Sequence, residues 1–270
     1  MSPAVSSAVE AAQYALLIGG LFLLWRLGLS PAARRAPAGL PAWDVSATDF
    51  FLFLWMAICG GILAPYAAGL WFRHHALTND LRVVLGTAAF QLGLLAGVLV
   101  FKLSFGRHAI PPSPPTAAFN PLLAGAATYL VALPVVLVTS LIWEALLKVC
   151  HIPAPKQDAI DLLLRSHDLP TVTGLLLCAI GIAPVTEELI FRAGIFRFVR
   201  TRLPRWAALL LPALLFGALH SNLASFAPLV ALGVVFSLAY ERTGRISTTM
   251  VAHALFNLTA ALLTLAGVDT

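Results

Sequence analysis

Pro184-Val185-Thr186-Glu187-Glu188-Leu189-Ile190-Phe191-Arg192 sits inside an apolar run that extends from about Thr171 to Val199. Two adjacent carboxylates and a guanidinium in a hydrophobic helix are expensive to bury, even on the lenient insertion scales. Such groups persist where they meet partners or line a polar cavity. Two further costly side chains, His220 and His253, follow on later apolar runs. The stretch therefore predicts a helical membrane protein whose polar groups converge on one site.

Composition agrees. The 270-residue chain is 60% hydrophobic and 11% charged, with a mean hydropathy of +0.90. Soluble domains carry about 25% charged residues. The expected class is all-α, a polytopic bundle in the lipid bilayer. Cys59, Cys150 and Cys178 are scattered through apolar surroundings with no C-x-x-C pair, so they give neither a disulfide framework nor a cysteine metal site. The net charge of +5 is spread over short loops rather than gathered in a groove, which excludes a nucleic-acid partner. Glu10 stands where a signal peptide would carry positive charge, so the first run is read as a retained transmembrane helix.

A span needs about 20 mostly apolar residues. Eight runs qualify or nearly so: Ala11 to Leu29, Thr48 to Phe72, Leu81 to Phe105, Asn120 to Val149, Thr171 to Val199, Trp206 to Ser221, Leu223 to Tyr240 and Ile246 to Val268. Ser30 to Ala47 reads as a Pro/Arg/Ala-rich loop, and the prolines of Ile110 to Pro115 exclude helix there. Pro134 is a candidate kink. Asp158 to Arg165 sets charges on one side and leucines on the other, as a short interfacial helix would. The chain reads as a single membrane domain over 1–270, with helices of unassigned role in 1–119 and the chemistry in 120–270.

Orientation follows from the basic residues. Loops after the first, third, fifth and seventh runs hold Arg26, Arg34, Arg35, Lys102, Arg107, Arg197, Arg200, Arg202, Arg205, Arg242 and Arg245, which is 11. The other loops hold Arg73, Arg82, Lys148, Lys156 and Arg165, which is 5. The positive-inside rule then places the odd loops in the cytoplasm and both termini outside. A bacterial inner membrane and a cavity open toward the cytoplasm are the accompanying expectations.

Depth and facing are arithmetic. Glu187 and His220 lie roughly 20 and 22 Å from the Arg200–Arg205 loop, at 1.5 Å per helical residue. His253 and Asn257 lie roughly 12 and 18 Å from Arg245. Phe216 and His220 share one stripe at i,i+4, as do His253 and Asn257. Glu188 and Arg192 are an i,i+4 pair in the favourable order. Glu187 points about 100° away from Glu188, so one carboxylate is expected to be free for chemistry and its neighbour held by arginine. A glutamate in an apolar site suits a general base. Imidazoles hold water, bind metal or donate to a leaving amine. Asn257 with His253 suits an oxyanion. A zinc site of His220, His253 and one carboxylate is an open alternative. H-E-x-x-H and G-x-S-x-G are both absent.

These residues resemble a known family. Glu187-Glu188-Leu189-Ile190-Phe191-Arg192 is similar to the E-E-x-x-x-R motif of the CPBP intramembrane endopeptidases, the CAAX-protease and bacteriocin-processing (Abi) type. Phe216-Gly217-Ala218-Leu219-His220 resembles its F-x-x-x-H, and His253-Ala254-Leu255-Phe256-Asn257 its H-x-x-x-N. The resemblance covers about Thr171 to Val268. It implies an eight-helix-type bundle and a glutamate-dependent protease, commonly called a metalloprotease. By position, Glu187 with His220 would activate water, His253 and Asn257 would form the oxyanion site, and Glu188 with Arg192 would support them. Its substrates would be prenylated peptides, leader peptides or membrane-protein stubs. A divalent metal such as zinc would be held by His220 and His253.

Blander readings stand beside these. The acidic pair alone could be a structural salt bridge, and His220 a helix-end residue. Glu144 is expected to pair with Lys148, and His74, His75, His108, His151 and His167 are assigned to loops. A proton-coupled transporter is disfavoured because the polar residues are confined to one half. A catalytically idle scaffold is disfavoured by the intact motif residues.

Overall fold

The computed structural model describes residues 3–36, 38–105, 120–153 and 158–267. The proline loop Ile110 to Pro115, Arg107, His108, Lys156 and the expected helix end at Val268 lie outside the described residues. Among those described there is no strand, and helices follow the order of the apolar runs. They are α1 (Pro3–Leu24, continued by a π-helical turn Trp25–Leu29), α2 (Ala47–Phe72), α3 (Asn79–Ser104), α4 (Pro121–Val149), α5 (Asp158–Arg165), α6 (Leu169–Arg200), α7 (Arg205–Leu219), α8 (Leu223–Thr243) and α9 (Ile246–Leu265). Seven of these are long and apolar enough to cross a membrane, and α7 is a shorter apolar helix. The chain is an integral membrane protein.

Side-chain caps set the helix starts one or two residues away from the first apolar position. Ser46 accepts from Asp49 N, Thr78 from Leu81 N, Asn120 from Leu122 N and Asp168 from Thr171 N, each satisfying an amide that the helix itself leaves unpaired. Large apolar side chains on the outer faces are exposed, Ile62, Tyr66 and Leu123 among them, as a lipid solvent requires. α2 and α3 form a hairpin pressed together by small residues. A Cβ on Gly93 would lie 2.1 Å from the Gly60 carbonyl oxygen, so only glycine permits this approach. α4 runs unbroken through Pro134 and packs on α1, α8 and α9. Glu144 and Lys148 pair at 2.7 Å on its exposed face, as expected.

The segment from Ser30 to Ala47 is more ordered than a plain loop. After one helical turn at Pro31–Arg35, residues 38–45 lie as a strap across the ends of α6, α7 and α8. Trp43 and Val45 are each 2% exposed. The basic residues that suggested topology hold it there. Arg200 Nη1 donates to Leu40 O at 3.2 Å, Arg202 Nη2 to Val45 O and Arg242 Nη1 to Ala33 O at 3.0 Å. Gly39 and Leu40 amides donate to Glu241 O at 2.9 and 3.0 Å. The Glu241 carboxylate in turn accepts from Arg200 and Arg205. Gly244, at φ 64, closes the far side of this contact; a Cβ there would stand 2.6 Å from Gly39 O.

Candidate active site

α6 is not a uniform helix. It is α-helical over Leu169–Leu177, π-helical over Cys178–Ile182, α-helical over Ala183–Glu188 and π-helical again over Leu189–Phe196, ending in Arg197–Arg200. Pro184 explains the first change. In the π register an amide serves the carbonyl five residues back, as Ala183 N does for Cys178 O. The next donor would be Pro184, which has none, and the carbonyl it cannot serve is that of Ala179. Asn257 Nδ2 donates to Ala179 O at 2.7 Å. Pro184 therefore frees an acceptor just before the acidic pair, and its partner comes from α9.

The acidic pair is held unequally. Glu188 is fully buried, and its Oε1 accepts from Arg192 Nη1 at 2.8 Å and lies 3.0 Å from His253 Nδ1. The Arg192 guanidinium, 1% exposed, lies 4.6 Å from the Phe216 ring centroid and 5.3 Å from that of Phe236. A charge pair this dry needs its geometry complete. Glu187 turns to the other side, toward α3. Its side chain is 16% exposed, and its Oε2 is 3.8 Å from His253 Nε2. That is too long for a direct hydrogen bond but near enough for one water to touch both. His253 thus stands between the two carboxylates, with Nδ1 fixed by Glu188 and Nε2 turned to Glu187.

Glu187 is not the free carboxylate the helical wheel suggests. Gln91 Nε2, from α3, donates to Glu187 Oε1 at 3.0 Å. Sequence reasoning missed this residue because it sought chemistry only in the C-terminal half. The available signal was a lone amide in the middle of an apolar helix, where polar side chains are rare.

His220 lies further out. It caps the C-terminal end of α7, is exposed, and is held through Nδ1 on Phe216 O at 2.8 Å. Its link to the cluster is Phe216, whose ring is 4.7 Å from His220 and 5.9 Å from His253. Asn257 spends one amide hydrogen on Ala179 O and keeps a second. The structure therefore brings Glu187, Glu188, Arg192 and His253 together, with Asn257 and His220 joined through Ala179 and Phe216. His220 stands apart from His253 and Glu187, with Phe216 between the two imidazoles. Among the described residues, no three His, Cys, Asp or Glu side chains are grouped to hold a metal ion.

Of the loop histidines, His75 stacks on Trp71 at 3.6 Å.

Comparison with known proteins falls on the same segment. Residues 169–259 match the family model described as "Type II CAAX prenyl endopeptidase Rce1-like". All three motifs lie within them, and the match ends short of the expected boundary near Val268. The chain is 35% identical over 78 residues to "UPF0177 protein YbdI" of Lactococcus lactis subsp. lactis (strain IL1403), which is 28% of this chain and 41% of that protein. It is 33% identical over 76 residues to "Putative membrane peptidase YdiL" of Bacillus subtilis (strain 168), 28% of this chain and 31% of that one. The chain thus spans less than half the length of the curated relatives it matches. No solved structure matches it.

Proposed function

From a C-terminal segment that matches the type II CAAX prenyl endopeptidases, we propose that this protein is a glutamate-dependent intramembrane endopeptidase. The observation that carries the reading is the chain Arg192–Glu188–His253–Glu187. It is assembled from two helices in an apolar bundle, with only its last carboxylate partly open.

In this reading Glu187 is the general base. It takes a proton from water as the water oxygen bonds to the scissile carbonyl carbon, and the carbonyl electron pair becomes the oxyanion. Collapse of that intermediate breaks the C–N bond, and the proton held by Glu187 passes to the leaving amine. Glu188 orients His253 through Nδ1, much as a buried carboxylate orients a catalytic histidine elsewhere. His253 Nε2, when protonated, and the second Asn257 Nδ2 hydrogen donate to the oxyanion. His220, held through Nδ1, offers Nε2 to the water or the leaving amine. The substrate is a peptide or membrane-protein segment delivered at the bilayer, with prenylated and leader-type peptides the first classes to test. A bacterial inner membrane is the proposed location, in keeping with the bacterial relatives.

The test is cleavage of a panel of such peptides by the purified protein in liposomes, beside Glu187→Gln. Loss of a positioned base costs about 10²–10⁴-fold in rate, so Glu187→Gln is expected to fall by at least the lower figure with its melting temperature kept. A folded wild type that cleaves nothing on the panel would contradict the reading. Cleavage is expected to survive a chelator; loss restored by added zinc would overturn the metal-free form of this mechanism.

A further inference from the structure

Gln91 is an amide near the middle of α3, 7% exposed, and it lies outside the segment shared with the endopeptidases. Two bonds tie it to α6. Its Nε2 donates to Glu187 Oε1 at 3.0 Å, and its backbone oxygen accepts from Thr186 Oγ1 at 3.4 Å. The side-chain orientation is dictated by chemistry, since an ionised carboxylate only accepts and must face the amide nitrogen. The other end of the amide, Oε1, is buried and has no donor. A buried acceptor left unpaired carries its full desolvation cost, and leucine at this position would avoid that cost. If the role were only to join α3 to α6, the backbone bond to Thr186 and the apolar packing would serve without the amide.

Resting on the peptidase reading above, we propose that Gln91 is a positioning residue for the Glu187 carboxylate that takes the water's proton. Its Nε2–H fixes Glu187 Oε1 and leaves Oε2, on the His253 side, as the basic oxygen. One proton of the water passes to Glu187 Oε2 as the new O–C bond forms, and the other hydrogen stays on the resulting hydroxyl. This assigns a function to the N-terminal helices, since α3 completes a site whose other groups come from α6 to α9.

The test compares wild type, Gln91→Leu and Gln91→Met in the liposome cleavage assay, with melting temperatures measured in parallel. Loss of such a supporting hydrogen bond is worth about 10–100-fold, and that fall is expected in kcat with KM within about twofold. Independently of turnover, the Glu187 carboxylate bands, identified by infrared difference against Glu187→Gln, are expected to shift in both Gln91 variants. Unchanged kcat in folded variants would overturn the proposal, as would an unshifted carboxylate band. A raised KM at constant kcat would also overturn it, by making Gln91 a substrate-binding group. Failure here shows only in the Gln91 variants, whereas a wild type that cleaves nothing removes the peptidase reading and this role with it.

Discussion

At the scale of single residues, the buried pair Glu188–Arg192 is the most exacting feature of the site. Replacing one partner of such a pair strands the other charge, typically at a cost of about 3–5 kcal/mol. Arg192→Leu is therefore expected to lower thermal stability markedly, because Glu188 is fully buried and would lose its guanidinium partner. Glu188→Gln should be milder in stability, since the amide oxygen can still accept from Arg192 and His253 Nδ1, but it removes the negative charge beside the imidazole and should reduce kcat. Thermal melts and kcat for the two variants check this, and a Glu188→Gln protein with full activity would remove any essential part for Glu188. The pairing itself was legible in the sequence, because i,i+4 spacing fixes it. Glu187 facing away from Glu188 was legible for the same reason. What Glu187 meets was not, because helical spacing says nothing about the neighbouring helix, and Gln91 is 96 positions away.

At the scale of elements, α6 shows how one proline shapes a site. Pro184 withholds a donor, Ala179 O is left over, and Asn257 reaches it from α9. Pro184→Ala would restore that donor and compete with Asn257, so activity should fall about tenfold while stability is kept; unchanged kcat would remove the idea. The hairpin of α2 and α3 makes a second prediction. A side chain larger than hydrogen at Gly93 must push against the Gly60 backbone. Gly93→Val is expected to cost about 1–3 kcal/mol, as overpacking does, and to reduce activity by displacing Gln91. Parallel melts and assays check both effects. Eight helices and most of their ends were readable from hydropathy and capping residues. The π-helical stretches were not, because they answer to inter-helix bonds rather than to local pattern.

At the scale of the whole molecule, two sequence expectations pull apart. The Lys/Arg count puts the Arg200–Arg205 end in the cytoplasm, and the cavity was expected to open on that side. Yet the strap at residues 38–45 covers that end, while the exposed His220 lies at the other end of α7. At 15 residues, α7 spans about 22 Å, short of a hydrocarbon core about 30 Å thick. Its polar turn at His220, Ser221 and Asn222 therefore needs water from that side, because unpaired backbone is not tolerated in lipid. Cys150 reports on this end: it follows α4, whose Trp143 bonds Leu223 O at the start of α8, and it is the exposed cysteine of the three. The basic-residue count predicts labelling of Cys150 from outside by an impermeant maleimide. Labelling only after permeabilisation would put the His220 end in the cytoplasm. The strap went unread in the sequence because its anchors are carbonyls, which any loop possesses.

The measurement that bears most directly on the central claim is a single turnover of a cleaved peptide in ¹⁸O-enriched water, with wild type beside Glu187→Gln. Direct attack by a water that Glu187 activates predicts one ¹⁸O in the new carboxyl group, none in the protein, and product from the variant at least about 100-fold slower. Product from Glu187→Gln at the wild-type rate, or unlabelled oxygen carried from Glu187 into the first product, would contradict it.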